Sequence, residues 1–585
     1  MNHLTPIFTE RRECQDCHKC VRNCPVKAIK VEGGYASVMA ELCILCGHCV
    51  EVCPNGAKKV RDDLLGARQL LTLKKSVFVS LAPSYVSDFP GLKPAQMIAA
   101  LKKLGFAGVS ETALGAQQVS AQAAALLQNQ PRRVLVSSAC PTVVSYLERH
   151  HPGGAPLLAG LMSPLLTHCH MLRKNLGADI GIVFIGPCIA KKLEAAQHPE
   201  LLDVALTFED LRRWLEQEKI VPEQMSVTRA DQFVPERAAE GAWYPVDGGM
   251  IAGMKSTCVV NDCTLMAFSG LGAIKKALDG LEATAPDEGL FLELLACEGG
   301  CVNGPKARHR GATVAKRRSV FRQVTQPGAV LPRRPALVTP ATFAANPPPD
   351  AKFPESQIRE ALRNVGKFSV DDELNCGGCG YDTCREFGAA LLSRKAERAM
   401  CVTYMRQLAH KKANALLQKM PSAVVIVNEA LQIIEYNAAF TALFAKGQPA
   451  KSEGTAGLEG VALAEVMPFA TLFHGVLKSG EDILDRDLRF QNAILHATIF
   501  SIEKHHLVGG ILQDITKPAV RKEQVIRKAR EVIEKQLATT QQIAFLLGEN
   551  AADAEITLNS IIDSFSPPKP DEPKETNDWR KLYRR

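Results

Sequence analysis

No stretch of this 585-residue chain is apolar for long enough to cross a bilayer. The first ten residues, Met1 to Glu10, hold neither an apolar core nor a twin arginine, so no export signal is expected. Charge of one sign is also lacking. Seventy Lys and Arg against 62 Asp and Glu leave a formal +8, scattered along the chain, and nothing in that pattern asks for nucleic acid. These absences point to a cytoplasmic protein without a membrane span. Core material is ordinary at 46% apolar residues, and the length suits about four domains. Cysteine is the residue in excess. The chain has 19, in short Gly- and Pro-flanked loops, and no pair requires a disulfide. Ligand-type thiols in such number fit a reducing compartment.

Sixteen of the cysteines fall into four groups. Cys14, Cys17, Cys20 and Cys24 run C-x2-C-x2-C-x3-C with Pro25 following, and Cys43, Cys46, Cys49 and Cys53 repeat the pattern with Pro54. Three closely spaced thiolates wrap three corners of an iron–sulfur cube, and the fourth is carried to the neighbouring cube. One [4Fe-4S] set is therefore Cys14, Cys17, Cys20 and Cys53, and the other is Cys43, Cys46, Cys49 and Cys24. Paired zinc sites are the alternative, which the spacing disfavours. Residues 10–60 resemble a bacterial two-cluster ferredoxin.

From Ser76 onward, β-branched runs at Val77–Leu81, Val134–Ser138 and Ile180–Ile185 alternate with helical patterns at 94–104, 116–130 and 156–176. That alternation predicts an α/β domain with buried parallel strands. Cys140 follows one such strand and Cys188 another, while Cys297 and Cys301 sit in a Gly-rich loop. Sites in open α/β sheets form beyond the carboxyl ends of strands, so these four can converge.

As a set, Ser137-Ser-Ala-Cys-Pro141, Gly186-Pro-Cys-Ile-Ala-Lys-Lys192 and Ala296-Cys-Glu-Gly-Gly-Cys-Val-Asn-Gly-Pro305 resemble the three cofactor loops of [FeFe]-hydrogenases, over residues 75–310. The resemblance implies that Cys140, Cys188, Cys297 and Cys301 hold the [4Fe-4S] cube of an H-cluster and that Cys301 also bridges to its two-iron subcluster. It further implies that Lys191 hydrogen-bonds a cyanide ligand of that subcluster. Glu194 and Glu293 occupy the motif's acidic positions, and Lys191 and Glu194 are the expected catalytic pair. The departures matter as much. Ala139 stands where catalytic members carry a proton-passing cysteine, and residues 113–130, which supply relay carboxylates in those members, contain no Asp or Glu. Each acid–base element contributes about 10²–10⁴-fold, so slow turnover is expected. Gly186 and Leu295 replace two methionines that pack the two-iron site. Cys169, on His168-Cys-His170, is the alternative source of a substitute thiol.

Cys376, Cys379, Cys384 and Cys401 form the fourth group, on a loop eased by Gly377, Gly378 and Gly380. It resembles the small four-cysteine iron–sulfur domain of corrinoid proteins, with zinc as the alternative. Pro421–Val427, the helix start at Asn437-Ala-Ala-Phe440 and the closing Asp514-Ile-Thr516 resemble a PAS domain. Ile526, Ala529, Ile533, Leu537, Thr540, Ala544 and Leu547 then mark a helix with one apolar stripe. Cys169, Cys258 and Cys263 are left as structural thiols, and His474, His496, His505 and His506 are left unassigned.

The expected organisation is multidomain, α/β and α+β: a ferredoxin-like head (1–62), a hydrogenase-like H-cluster domain (63–335), a linker (336–354), a four-cysteine domain (355–412), a PAS domain (413–517), a signalling helix (518–565) and a disordered tail (566–585). That order resembles the sensory type of [FeFe]-hydrogenase. It implies an H2- or redox-sensing protein with weak hydrogenase activity, a redox partner such as ferredoxin, and an output carried by a separate signalling protein. A homodimer through the C-terminal helix is the expected assembly. Two alternatives stand: a catalytic ferredoxin-linked hydrogenase with a substitute proton path, and an electron-transfer protein that never receives the two-iron subcluster.

Overall fold

The computed structural model describes residues 5–129, 133–260, 263–281, 289–307, 312–323, 333–349, 352–444, 457–516 and 526–531. Most of the signalling helix and the whole tail expected at 566–585 lie outside the described residues. The chain divides into two compact units, Met1–Met405 and Arg406–Arg585.

In the first unit the head is built twice. Helices of one turn, Lys19–Arg22 and His48–Glu51, carry Cys20 and Cys49. Just before each, the chain takes left-handed conformations at matching positions: Asp16 and His18 in one half, Leu45 and Gly47 in the other. Alternating handedness curls a backbone into a concave nest, which three neighbouring thiols require in order to face one centre. Antiparallel strands Ile29–Glu32 and Tyr35–Val38 form a hairpin, and Ile7–Thr9 pairs with Lys58–Val60 to close the head.

The hydrogenase-like region has two all-parallel sheets. One orders Gly108–Glu111, Val77–Leu81, Gly181–Gly186 and Val204–Thr207, and the other Cys263–Ser269, Gly289–Leu295 and Val134–Val136. Their strands are apolar on both faces because helices such as Ala113–Asn129 and Pro164–Leu176 cover them. Fully buried Lys192 fastens the junction with the head: its Nζ lies 3.0 Å from Asp63 Oδ2 and 3.2 Å from Asp210 Oδ2, and its carbonyl accepts from Arg61 of the head at 3.3 Å.

The expected linker is in part an ordered strap. Thr339 is buried, its N–H donates to Gln122 Oε1 at 2.8 Å, and its carbonyl accepts from Met162. Prolines and alanines here mark an extended run that side-chain amides pin down. The four-cysteine segment packs helices Glu355–Arg363 and Cys384–Leu392 together and shares one apolar core with the head. Backbone approach allows this docking: a Cβ on Gly380 would lie 2.7 Å from Val21 Cγ1, and Lys27 Nζ donates to the Gly380 carbonyl.

The second unit is a five-stranded antiparallel sheet in the order Ile433–Tyr436, Ala423–Val427, Leu507–Asp514, Ala493–Glu503, Ile483–Phe490. Fully buried Asn437 accepts from Val424 N–H and donates to the Ser422 and Leu417 carbonyls, which fixes the turn into helix Ala438–Phe444. Asp514 Oδ1 accepts from the Thr516 N–H at the sheet's exit. The expected boundary at 412/413 falls within helix Val402–Lys419.

Candidate cluster-binding sites

Three parallel strands point their carboxyl ends at one cavity. Cys140 follows Val134–Val136, Cys188 follows Gly181–Gly186, and Cys297 follows Gly289–Leu295. With Cys301 they line a cavity of about 110 Å³. The 297–304 loop fits only because Gly300 lacks a side chain, since a Cβ there would sit 2.3 Å from the Pro245 carbonyl oxygen. Burial pushes the Cys188 thiol up to about 11 and raises Cys297 and Cys301 further, each adding to the others' cost of ionising. Four thiols gathered in a dry site favour thiolates only when a cationic centre joins them.

The cavity wall carries a further sign of a bound group. Ser84 is buried there, just beyond the end of strand Val77–Leu81, and its hydroxyl has no partner among the described residues. A buried unsatisfied hydroxyl costs about 1–3 kcal/mol, so a polar group in the cavity is its natural complement. Sequence reading missed Ser84, although the strand-end rule that found Cys140 and Cys188 applies to it equally. Lys191 also lines the cavity, and its Nζ donates to Glu194 Oε2 at 2.8 Å and to Ser163 Oγ at 3.1 Å. The expected catalytic pair is thereby divided. Lys191 is on the wall, whereas Glu194 lies behind it, holding the ammonium together with Ser163. The four thiols, the orphaned hydroxyl and the lysine suit an anionic metal–ligand assembly. Glu293, the other acidic motif position, accepts from Ile251 N–H at the start of helix Gly249–Thr257 and braces that helix.

In the head, the thiols that bear on Cys20 are Cys14, Cys17 and Cys53, while Cys43, Cys46 and Cys49 each feel Cys24. Each group of three thiols thus has a fourth thiol from the opposite half as its neighbour. The second set abuts the hydrogenase-like loops: a Cβ on Gly47 would fall 2.3 Å from Pro305 Cβ, and Cys297 feels Cys46.

The sequence profile for the iron only hydrogenase large subunit, C-terminal domain, matches residues 75–305, the 4Fe-4S dicluster domain matches residues 6–54, and a profile described as an Fe-S cluster matches residues 372–403. The NADP-reducing hydrogenase subunit HndD of Solidesulfovibrio fructosivorans is 24% identical over 378 residues, 51% of this chain and 64% of that protein. An uncharacterized ferredoxin of Methanocaldococcus jannaschii is 41% identical over 49 residues, 8% of this chain and 79% of that one. The cytosolic Fe-S cluster assembly factor nar1 of Aspergillus terreus is 38% identical over 81 residues, 13% of each chain. The chain joins a 4Fe-4S ferredoxin domain to an iron-only hydrogenase large-subunit domain. It is a hydrogenase-like iron–sulfur protein, and it spans about 64% of the length of HndD.

Within the hydrogenase-like domain, Ala139 lies on the cavity wall beside Cys140. Helix Ala113–Asn129 carries glutamines and no carboxylate, and those amides are engaged elsewhere. Gln117 accepts from Ala239, Gln118 from Ala336 and Gln122 from Thr339. Cys169 is fully buried in the apolar core and does not line the cavity, so it supplies no substitute thiol there. Cys258 and Cys263 sit at the edge of another apolar cluster.

In the fourth group Cys379 has Cys376 and Cys401 as neighbours, and Asn375 Oδ1 accepts from the Cys384 N–H at 2.7 Å. Among the described residues no three His, Cys, Asp or Glu converge to hold one metal ion. His496, which could tempt a haem assignment, instead hydrogen-bonds Asp487 and Asp485 on an exposed hairpin. No helix among the described residues is long and apolar enough to cross a membrane.

Proposed function

We propose that this protein senses H2, or the redox state that H2 sets, and turns H2 over slowly. Cys140, Cys188, Cys297 and Cys301 would hold the cube of an H-cluster, the eight head cysteines two further cubes, and Cys376, Cys379, Cys384 and Cys401 a fourth. When bound, these groups supply one-electron transfer and, at the two-iron unit, the reversible chemistry of H2. The chain's own residues bind and orient. Lys191, whose ammonium is held by Glu194 and Ser163, forms part of the cavity wall. Ser84 offers a hydroxyl, and Phe184, Leu165 and Leu295 keep the wall dry.

The observation that carries the reading is Ala139 on the cavity wall, where a methyl group can neither accept nor pass a proton. The second unit supports a sensory purpose. Its strand order and the Asn437 and Asp514-Ile515-Thr516 junctions suit a PAS domain, with an output relayed to a separate protein and ferredoxin as a candidate redox partner. The test is H2 oxidation and evolution by maturated protein. Turnover equal to that of catalytic hydrogenases would replace this reading with a working enzyme that has another proton path.

A second reading is favoured by the similarity to a cytosolic Fe-S cluster assembly factor. Under it the chain would be an iron–sulfur protein without the two-iron unit. Infrared bands from CO and cyanide after co-expression with maturation proteins support the sensor, and their absence supports this second reading.

A further inference from the structure

The two halves of the ferredoxin domain stay in register after their last cysteines. Cys24-Pro-Val-Lys-Ala-Ile29 in the first half corresponds to Cys53-Pro-Asn-Gly-Ala-Lys58 in the second. Ile29 is an ordinary core residue, 1% exposed. Its counterpart Lys58 is also buried, at 3%. An ammonium group therefore occupies a position that the first half fills with an aliphatic side chain. The neighbouring Lys59 is only half-buried and pairs with Glu13, so this is not simply a basic strand.

Lys58 Nζ donates to Thr9 Oγ1 at 2.7 Å and to the Ala36 carbonyl at 2.5 Å. Both acceptors are neutral, and among the described residues no carboxylate pairs with it. A buried cation with only neutral partners is poorly compensated. Negative charge can reach it from two sides, because Lys58 acts on Cys20 of one four-cysteine set and on Cys49 of the other.

We propose that Lys58 is an internal cation shared by the two head clusters, and that it raises the reduction potentials of both. The inference rests on the reading of the eight head cysteines as two cubes. A cube on four thiolates is a net negative centre, and one-electron reduction adds one more negative charge. A fixed positive charge nearby favours the reduced form, and burial protects that attraction from salt. The head thus retains electrons more readily than it would with the aliphatic residue of its first half.

The test uses the full-length chain, matured without oxygen, as wild type and as Lys58→Gln, Lys58→Met and Lys58→Arg. Iron and acid-labile sulfide are counted, and the head signals, identified by their loss in Cys20→Ser and Cys49→Ser, are titrated by EPR against solution potential. The Gln and Met variants should keep wild-type iron and sulfide. At a fixed potential their reduced-to-oxidised ratio should fall about tenfold at both head clusters, about 59 mV for one electron. Lys58→Arg and the clusters outside the head should not move. Full clusters with unmoved potentials in the Gln and Met variants would overturn the proposal, as would an equal shift in the Arg variant. If the neutral variants lose their clusters, Thr9→Val answers the same question by removing an acceptor while leaving the charge. Unchanged potentials then support the charge, and a fall of similar size overturns it. A wild-type head without cube signals would instead defeat the underlying cluster reading, which the wild-type sample alone decides.

Discussion

The ring of Phe184 fills the space into which a side chain at position 186 would project: a Cβ on Gly186 would lie 2.3 Å from Phe184 Cζ. Phe184 is also part of the cavity wall. Glycine at 186 therefore leaves no hole, because a residue two positions earlier on the same strand has taken the volume. Gly186→Met should lower stability by about 1–3 kcal/mol through overpacking. Phe184→Ala in the same chain should recover part of that loss. Denaturant midpoints of the four proteins in this cycle measure the coupling, and strictly additive effects would show that the two positions do not share space.

Lys192 offers a harsher test of how the head is held. It is fully buried between Asp63 and Asp210, and Asp210 also accepts from Thr207 N–H. Lys192→Met removes the buried cation that Asp63 and Asp210 share, although Arg61 still pairs with Asp63 and Arg213 with Asp210. Breaking a buried pair costs about 3–5 kcal/mol when the partner is left alone, so a loss below that range is expected here. Limited proteolysis around residues 60–66 should become faster in the variant, and an unchanged digestion pattern would count against Lys192 as the fastening.

A third expectation concerns pH. Glu111 is 4% exposed, and burial pushes its carboxyl up to about 7 although the Ala238 N–H and Arg237 pull it back. Between the ordinary carboxylate value and about 7, the folded chain holds a proton that the unfolded chain has released. Stability contributed by this group is therefore present at low pH and lost as pH rises through that window, by on the order of 3 kcal/mol. Glu111→Gln keeps an acceptor for Ala238 and cannot ionise. Urea midpoints at about pH 5 and about pH 8 should differ less in the variant than in the wild type, and parallel slopes would remove Glu111 as the cause.

Local pattern carried much of this far. Strands Val77–Leu81 and Gly181–Gly186 lie within a residue of where β-branched runs predict them, because burial on both faces leaves an unbroken apolar signal. The cysteine spacings placed the thiols, since short loops fix their own geometry. Contacts between distant segments left no such trace. Nothing local in Asn375-Cys-Gly-Gly-Cys-Gly380 announces that Gly380 packs on Val21 of the head, or that Glu397 Oε1 accepts from the Gly33 N–H. Pro- and Ala-rich composition at 336–346 reads as linker because its partners, Gln118 and Gln122, lie more than two hundred residues earlier. The break placed at 412/413 followed the onset of strand signals and so missed helix Val402–Lys419, whose exposed residues give no strong apolar stripe. The stripe at 533–547 lies outside the described residues.

The last expectation returns to Ala139. A thiol there would restore a proton-carrying group on the cavity wall, but a relay needs a next acceptor. The helix Ala113–Asn129 offers no carboxylate: Gln118 and Gln122 are held by the strap at Ala336 and Thr339, and the Ser120 hydroxyl is engaged with Tyr244. Ala139→Cys alone should therefore raise H2 turnover by less than about tenfold, short of the 10²–10⁴-fold that a complete acid–base element supplies. Infrared spectra of the matured variant serve as the control that the cofactor is loaded. A gain of about a hundredfold or more would mean that a working proton path already lies behind position 139, and the slow-turnover reading would fail with it.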